Sequence, residues 1–374
     1  MVQLVELVFR DGQQSLIATR MRTEDMLPIA GEMDRVGFFA LEVWGGATFD
    51  VCLRYLAEDP WERLKKLKAS IQGTPLQMLE RGMNIVAYRN FPDDIVEKFI
   101  ESAHKGGIDI FRIFDALNDL RNMKKPIEAV KKAGAHAQGS LCYTISPVHT
   151  DRYYIENFKK LESMGCDSLC IKDMSGIISP VTAYQLVKEC KDEGVRTPLC
   201  LHSHSASGMA VAACIKAAEA GAEVLDTTIS PFSGGASHAP TESIVAALKG
   251  TPYDTGYDIS LLMNCRRYFQ KVWEKYRHLH REQAMQVDPS VVVHQIPGGM
   301  LSNLIVQLEQ FGAAQKFDQV LEETRRVRED LGWPPLVTPT SQIVGVQAVM
   351  NVVFGRYRRV LEETKSYAKG MYGR

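Results

Sequence analysis

Two histidines separated by a single residue, His202 and His204, form the pair best suited to chemistry in this sequence. They end a short apolar run that is typical of a strand, and residues two apart on a strand project to the same face. Both imidazoles can therefore reach one divalent metal ion, and a hydrogen-bonded pair without metal is the alternative. His278 and His280 have the same spacing in a helical pattern, where side chains two apart diverge, so we assign them to a solvated surface.

A divalent ion held by two neutral imidazoles needs anionic partners, and Asp11 and Lys172 are the candidates. Asp11 follows the first predicted strand, which lies beside the eighth when eight strands close into a barrel. Its alternative role is to cap the next helix. Lys172 ends the sixth predicted strand, where an ammonium group beside a dication is costly. Lys172 therefore either loses its proton or reacts with carbon dioxide to give an anionic carbamate ligand, unless it pairs structurally with Asp173.

The elements that must position these residues alternate regularly along the chain. Short apolar runs alternate with longer amphipathic segments at intervals of about 30 residues, as in consecutive βα units. The predicted strands are 2–9, 38–43, 75–80, 109–114, 137–143, 167–172, 197–202 and 222–228. Eight units predict an α/β fold, a closed (β/α)8 TIM barrel, with its active site at the carboxyl ends of the strands.

The alternation of strands and helices stops near residue 252. Helix-period segments follow it, at 258–277, 299–312, 316–330, 340–352 and 357–368. We therefore predict a barrel domain over residues 1–252 and a mostly helical carboxyl-terminal extension over residues 253–374.

The composition of the chain excludes several classes of function. Of 374 residues, 45% are apolar and 24% are charged, as in folded globular proteins. The formal net charge of −1 provides no basic field for nucleic acid, so we expect no nucleic-acid partner. The sequence contains neither a signal-peptide pattern nor a membrane-spanning apolar run, so we expect a cytoplasmic protein. Eight cysteines without a Cys-x-x-Cys motif predict reduced core thiols.

Eight motifs are distributed along nearly the whole chain. They are FRDGQQS (9–15), EVWGGATFD (42–50), MLERG (78–82), FRIFD (111–115), IKDM (171–174), HSH (202–204), PGGMLSN (297–303) and VTPTSQ (337–342). Together they resemble the biotin-dependent carboxyltransferase family. That family includes the carboxyltransferase domain of pyruvate carboxylase, the α subunit of oxaloacetate decarboxylase and the large metal-binding subunit of transcarboxylase.

The resemblance implies a metal centre in this chain. A divalent ion, Zn, Mn or Co, would be held by Asp11, His202, His204 and a carbamylated Lys172, which are the residues that strand geometry also brings together. The resemblance further implies that the helical extension forms a funnel over the mouth of the barrel.

The resemblance also implies how substrate is bound. Arg81 and Gln14 match residues that the family uses on pyruvate or oxaloacetate, and with Lys172 they are the expected catalytic groups. Arg10 precedes the expected ligand of the metal, and Tyr88 lies seven residues beyond Arg81, where relatives carry a tyrosine near the biotin pocket. We expect Arg10, Gln14, Arg81 and Tyr88 to bind substrate.

One position departs from the family pattern. Relatives of the pyruvate carboxylase type carry a threonine, thought to move a proton between biotin and pyruvate, where this chain has Ala236. Ser237, His238 or Thr241 are candidates to replace it. The run HAPTES at 238–243 follows the pattern of decarboxylase and transcarboxylase relatives. The loop therefore favours those relatives or two-subunit pyruvate carboxylases.

The expected partners follow from a missing motif and from the resemblance. The Met-Lys-Met signature of biotin attachment is not in this sequence, so we expect no biotin carrier domain here and biotin on a separate carrier domain or protein. The resemblance implies a biotin carboxylase subunit or membrane decarboxylase subunits as partners, and a homodimer.

The expected function is transfer of a carboxyl group between carboxybiotin and a 2-oxo acid, pyruvate or oxaloacetate, through a metal-stabilised enolate. The sequence leaves the direction of this reaction open. Two alternatives also remain: a metal-dependent lyase or Claisen-condensing enzyme on the same type of barrel, and a non-catalytic scaffold subunit.

Overall fold

The computed structural model describes residues 1–280, 282–296 and 298–372 of the chain. Within them, eight parallel strands close into a barrel in sequence order, and the first strand pairs with the eighth. The strands are β1 (Gln3–Glu6), β2 (Ala40–Gly45), β3 (Leu76–Glu80), β4 (Ile110–Phe114), β5 (His136–Cys142), β6 (Ser168–Asp173), β7 (Leu199–Ser203) and β8 (Val224–Thr227). The predicted (β/α)8 TIM barrel is confirmed.

Helices connect successive strands and cover the outer face of the barrel. They are α1 (Gln13–Ile17), α2 (Thr23–Val36), α3 (Gly46–Val51), α4 (Pro60–Ser70), α5 (Asp93–Gly106), α6 (Leu120–Ala133), α7 (Asp151–Ser163), α8 (Pro180–Asp192), α9 (Ala210–Ala220) and α10 (Thr241–Leu248). Side chains of Asp59, Asp119, Thr150 and Ser179 accept backbone N–H groups at the starts of α4, α6, α7 and α8. These N-caps satisfy donors that a helix start leaves unpaired.

The first strand is shorter than the predicted segment 2–9. A π-helical turn over Val8–Gly12 follows β1 almost directly, and the N–H groups of Arg10 and Gly12 both donate to the carbonyl of Leu7 at 3.0 Å. Val8 and Phe9 in this turn are buried in the core. The apolar pattern of the strand therefore continues into the turn, and the predicted strand was too long. The turn is what carries Asp11 to the mouth of the barrel.

The inside of the barrel is layered. An apolar cluster fills the end nearest the amino ends of the strands, and its members are Val5, Leu7, Ala40, Ile110, Cys170, Cys200 and Val224. Above it, Arg112 forms ion pairs with Asp226 and Glu42, and Gln77 donates to Glu42 at 2.8 Å. These inward polar positions alternate with outward apolar ones along each strand. The layer at the carboxyl ends forms the site described below.

The hydrophobic core of the barrel continues beyond the predicted boundary at residue 252. Helix α11 (Ile259–Tyr276) packs Leu262, Cys265 and Phe269 into it, and the Phe269 ring lies 6.0 Å from that of Phe9. The helix-period pattern found this helix but could not show which core it joins.

The helical extension has a hydrophobic core of its own. Its helices are α12 (Val291–His294), α13 (Gly298–Gln310), α14 (Phe317–Asp330), α15 (Thr340–Phe354) and α16 (Glu362–Ala368). Its buried members are Ile296, Leu304, Leu308, Ala313, Val320, Val327, Leu336, Val344, Ala348 and Val349. Pro297, which begins one of the motifs of the sequence, lies outside the described residues.

A buried hydrogen-bonded junction joins the extension to the barrel. Arg328 in α14 donates to Thr144 Oγ1 at 2.5 Å, to Gln295 Oε1 at 3.1 Å and to the carbonyl of Pro334 at 2.9 Å. Gln295 in turn pairs with the backbone N–H and carbonyl of Ile145. The extension is therefore fixed beside the residues that follow β5.

Two further observations concern the cysteines and the length of the helices. All eight cysteines are free and buried. None of the helices in the described ranges is both long enough and apolar enough to cross a membrane.

Candidate active site

Four buried side chains meet at the carboxyl ends of the strands. Asp11 comes from the π-helical turn after β1, His202 from β7, His204 from the residue after β7, and His238 from the loop after β8. One potential ligand atom from each lies within 4.8 Å of the others. Asp11 Oδ2 lies 3.7 Å from Nε2 of both His202 and His238, and 3.9 Å from Nε2 of His204. The pairing of β1 with β8 closes this group.

The group fits a divalent metal ion. His204 Nε2 is buried and has no hydrogen-bond partner, which is costly for a polar nitrogen unless it binds something. Donors that bind zinc at about 2.0–2.2 Å lie about 3–4 Å apart in a tetrahedral arrangement. The 3.7 Å and 3.9 Å from Asp11 Oδ2 to Nε2 of His202 and Nε2 of His204 fall in that range. These residues could therefore hold a metal ion.

Two further contacts fix the orientation of the imidazoles. Asp226 Oδ2 lies 2.6 Å from His202 Nδ1 and is itself paired with Arg112. The carbonyl of Ala236 accepts from His204 Nδ1 at 2.6 Å. Each contact holds a proton on Nδ1 and directs Nε2 at the centre, as second-shell groups do in metal sites. Burial, and then Lys172 and His238, hold the pKa of His202 well below its usual range, so this imidazole is neutral.

Lys172 borders the same centre from β6. Its Nζ lies 3.1 Å from His202 Nε2, and the two residues are partners in the register of β6 and β7. Burial lowers the pKa of Lys172, although the carboxylate of Asp11 opposes this shift. A lowered pKa favours the neutral amine, which is the form that reacts with carbon dioxide. Carbamylation and metal ligation by Lys172 remain predictions.

Arg10 is committed to neighbouring side chains. Its guanidinium donates to Asp11 Oδ2 at 2.8 Å, to Glu42 Oε1 at 2.6 Å and to Gln14 Oε1 at 3.2 Å. Burial alone would raise the pKa of Asp11, but Arg10 and then the neighbouring histidines bring it well below its usual range. Arg10 therefore keeps Asp11 ionised and orients Gln14, and direct binding of substrate by Arg10 remains a prediction.

Arg81 and Tyr88 lie at the rim of the barrel. The Arg81 guanidinium stacks on the Tyr88 ring at 4.6 Å and donates to the carbonyls of Val86 and Ala87. A Cβ at Gly46 would lie 2.8 Å from the Arg81 guanidinium carbon, so only glycine there leaves room for this position. Tyr88 is 50% exposed and is accessible to a ligand that enters the mouth.

The three candidates to replace the missing threonine differ in where they point. Ser237 Oγ donates to the carbonyl of Phe232 at 2.7 Å, and Thr241 Oγ1 donates to Glu6 at 2.5 Å. Both hydroxyls are fully buried and already used. His238 Nε2 faces the centre instead.

Glu6, which the sequence analysis did not single out, fastens the loop that carries His238. Its Oε1 accepts the N–H of Ile229 at 2.9 Å and that of Val8 at 3.0 Å, while its Oε2 accepts from Thr241. Ile229 and Thr241 lie near the two ends of this loop. Burial raises the pKa of Glu6 to about 8, although Thr241 opposes the shift. An acidic residue directly after the apolar pair Leu4 and Val5 of the first strand was the available signal.

Family models match two parts of the chain. The model described as "Conserved carboxylase domain" matches residues 291–374, within the extension. The model described as "HMGL-like" matches residues 113–268, within the barrel and α11.

Curated relatives match the full chain. It is 61% identical to a pyruvate carboxylase subunit of Methanocaldococcus jannaschii and covers 66% of that protein. It is 48% identical to "2-oxoglutarate carboxylase large subunit" of Hydrogenobacter thermophilus, of which it covers 57%. It is 47% identical to "Methylmalonyl-CoA carboxyltransferase 5S subunit" of Propionibacterium freudenreichii subsp. shermanii, of which it covers 74%. The chain thus spans about two thirds of the length of the Methanocaldococcus protein.

Solved structures share the complete fold. The carboxyl transferase domain of Rhizobium etli pyruvate carboxylase with pyruvate superimposes with a TM-score of 0.95 at 35% sequence identity. The match covers 100% of this chain and 66% of that one, so it includes both barrel and extension.

Proposed function

This chain belongs to the biotin-dependent carboxyltransferase family, and from that premise we propose that it transfers a carboxyl group between carboxybiotin and a 2-oxo acid, pyruvate or oxaloacetate. The buried group of Asp11, His202 and His204, with Lys172 beside it, carries the proposal. The match to the Methanocaldococcus pyruvate carboxylase protein and the similarity to a domain solved with pyruvate support pyruvate as the acceptor.

Asp11, His202 and His204 would hold the divalent ion, and Lys172 would join them as a carbamate. Nitrogen and oxygen donors of this kind suit Zn, Mn or Co. Bound there, the ion supplies a Lewis acid that stabilises the negative charge of an enolate. The protein supports this chemistry by keeping Asp11 ionised and the imidazoles neutral.

Arg81 and Gln14 bind and orient the 2-oxo acid in this proposal. The guanidinium of Arg81 pairs with the substrate carboxylate, since charge-assisted hydrogen bonds of this type are strong and directional. Arg10 donates to Gln14 Oε1, which leaves the amide N–H groups of Gln14 to donate to substrate. Tyr88 forms the outer edge of the pocket, where biotin enters, and its ring stacks on Arg81.

His238 moves the proton that carboxyl transfer requires. When pyruvate is carboxylated, its C3 loses a proton and gains the carboxyl carbon, while the biotin nitrogen loses that carbon and gains a proton. Ala236 has no hydroxyl to mediate this exchange. The hydroxyls of Ser237 and Thr241 already donate to the Phe232 carbonyl and to Glu6, although Ser237 Oγ also lies 3.4 Å from His238 Nδ1. The orientation of His238 Nε2 toward the centre supports its assignment to this step.

A separate carrier protein or domain delivers biotin in this proposal. A biotin carboxylase subunit would complete a pyruvate carboxylase, whereas membrane subunits would complete a decarboxylase. The 61% identity to a pyruvate carboxylase subunit of Methanocaldococcus jannaschii favours the first partner. Cytoplasmic location and a homodimeric state belong to the same proposal.

Decarboxylation of oxaloacetate in the presence of free biotin tests the function. We expect biotin-stimulated release of pyruvate from metal-replete protein and loss of that activity in chelated protein and in His202→Ala. The control is His136→Gln, because His136 pairs with Ser168 at the amino ends of the strands. The "HMGL-like" match favours a lyase or Claisen-type enzyme as the second candidate. Turnover of acyl-CoA substrates without biotin would establish that candidate instead.

A further inference from the structure

The mouth of the barrel is divided into a polar half and an apolar half. The polar half contains the side chains of β1, β6, β7 and the loop after β8 described above. The apolar half closes the ends of β3, β4 and β5. It consists of Leu79, Phe114, Cys142 and Val337, with Met174 packed against them, and we call it the apolar wall.

The apolar wall directly adjoins the candidate metal centre. The ring centroid of Phe114 lies 5.9 Å from Lys172 Nζ, and Cys142 is the register partner of Lys172 across β5 and β6. Leu79 is 9% exposed and lies in β3, which ends one residue before Arg81. A 2-oxo acid held between Arg81 and the metal centre therefore lies against this wall.

Val337 is contributed by the extension, not by the barrel. It is 2% exposed, and its carbonyl accepts from Thr340 Oγ1 at 2.7 Å and from Ser341 N–H at 2.8 Å. These bonds tie Val337 to the first turn of α15. The position of its side chain in the mouth is therefore fixed by the fold of the extension.

The basic side chains near the wall are already committed: Lys172, closest to Phe114, is an anionic carbamate in the proposed function, and the buried guanidinium groups have acceptors. Arg10 pairs with Asp11 and Glu42, and Arg328 donates to Thr144, Gln295 and the carbonyl of Pro334. Arg81 is assigned to the carboxylate that every 2-oxo acid shares. A carboxylate on the substrate other than the 2-oxo acid carboxylate and the one exchanged with biotin would therefore face the apolar wall without a counter-ion, and burial of an unpaired carboxylate is strongly unfavourable.

We propose that the apolar wall restricts the acceptor, before it is carboxylated, to 2-oxo acids whose C3 carries only hydrogen or a short alkyl group, and that Val337 is a specificity-determining residue. The inference rests on the proposed function and names its substrate class. Pyruvate and 2-oxobutyrate fit this description. The diacid 2-oxoglutarate, named for one relative, does not.

The test compares three 3-carboxylated substrates with free biotin and metal-loaded protein. They are oxaloacetate, 3-methyloxaloacetate and oxalosuccinate, which release pyruvate, 2-oxobutyrate and 2-oxoglutarate. After subtraction of spontaneous decarboxylation, we expect kcat/KM for the first two to agree within about tenfold, and that for oxalosuccinate to be about 100-fold lower. Comparable values for oxaloacetate and oxalosuccinate would overturn the proposal.

Substitutions at Val337 locate the selectivity. Val337→Lys places a cation in the wall, so it should raise the kcat/KM of oxalosuccinate relative to oxaloacetate by about tenfold. Val337→Ala should instead favour 3-methyloxaloacetate, because it makes room without adding charge. Val293→Lys is the control, since Val293 is 80% exposed. An unchanged substrate ratio in both Val337 variants, with full metal content, would remove Val337 from this role.

A binding measurement separates this inference from the proposed function. Calorimetric titration of metal-loaded protein with pyruvate, 2-oxobutyrate and 2-oxoglutarate needs no turnover. One outcome is that none of the three carboxylated substrates reacts, yet the monoacids bind about 100-fold more tightly than 2-oxoglutarate. The proposed function then fails, but the proposed selectivity of the apolar wall is supported. Equal affinities would overturn the wall even in an active enzyme.

Discussion

We expect the histidines of the centre to have separate tasks, although Nε2 of His202 and Nε2 of His238 lie only 3.4 Å apart. His202 is held by Asp226 and offers only Nε2, whereas His238 is carried by a loop. We expect His202→Ala to lose stoichiometric metal. We expect His238→Ala to retain it but to lower biotin-dependent turnover by about 100-fold, a usual loss for a removed acid–base group. Elemental analysis and kinetics check both outcomes, and loss of metal in His238→Ala would make His238 a ligand instead.

Substitution of Asp226 tests how its hydrogen bond to His202, a candidate metal ligand, supports metal binding. Its carboxylate receives the His202 imidazole and the Arg112 guanidinium in a fully buried position. Since second-shell partners tune metal affinity, Asp226→Asn should weaken metal binding by about 10–100-fold. Competition with a chromophoric chelator measures this. Asp34→Asn, which alters a carboxylate that accepts N–H groups of residues 72–74, is the control and should leave the affinity unchanged.

Which residues approach the centre was only partly predictable. Asp11, His202 and His204 follow from strand period and barrel closure, and the structure brings them together. The different orientations of Ser237, His238 and Thr241 depend on the backbone path of one loop, which residue types do not encode. The commitment of Arg10 to Glu42 required knowledge of which β2 side chain faces inward.

At the scale of elements, the hydrogen bonds that hold the loop between β8 and α10 in place can be tested. Thr241 bonds Glu6 and Thr227 at its end. Thr241→Val removes the donor and leaves the buried Glu6 oxygen short of a partner, so turnover should fall by about tenfold through displacement of His238. Thr241→Ser keeps the hydroxyl and should restore it. Equal activity of the two variants would show that the hydrogen bond between Thr241 and Glu6 does not position the loop.

Secondary structure was largely predictable, because apolar periodicity marks the βα units. The structure places β3 at Leu76–Glu80 and β4 at Ile110–Phe114, against predicted segments 75–80 and 109–114. The π-helical turn of Val8–Gly12 was not predicted, since buried residues in a wide turn resemble a continuing strand. That turn carries Asp11, so the least regular element bears a candidate metal ligand.

For the whole molecule, Glu6 links stability to pH. Its pKa is raised to about 8 in the folded protein by burial, so the folded state binds a proton that the unfolded state releases near its lower, ordinary pKa. The contribution of Glu6 to the free energy of unfolding therefore decreases between about pH 4.5 and pH 8. Denaturant unfolding at several pH values should show a shallower decrease for Glu6→Gln. An unchanged slope would place the Glu6 pKa near its ordinary value.

The junction of barrel and extension should contribute measurably to stability. Arg328→Met removes donors to Thr144, Gln295 and Pro334 and leaves their acceptors buried. We expect the free energy of unfolding to fall by about 2 kcal/mol or more, as for other unsatisfied buried groups. The control is Arg326→Met, because Arg326 is mainly exposed and surface pairs contribute little. Equal unfolding midpoints for the two variants would contradict this role.

The barrel was predictable from eight repeated units, but the attachment of the extension was not. Helix periodicity located α14 and α15, yet contacts between Arg328 and Thr144 join residues 184 positions apart. The placement of Val337 in the barrel mouth depends on the same long-range packing. Such contacts leave no periodic signal in the sequence.

The ion pairs inside the barrel set the electroneutrality of the reaction chamber. Two guanidinium groups, Arg10 and Arg112, stand against the carboxylates of Asp11, Glu42 and Asp226. These five side chains leave one uncompensated negative charge, which a dication would convert into one positive charge. The Arg81 guanidinium and a carbamate on Lys172 would add one charge of each sign and cancel. A singly charged keto acid would then neutralise the chamber, whereas its ester or amide would leave it charged. The ion pairs would thus favour an acid over its uncharged analogues.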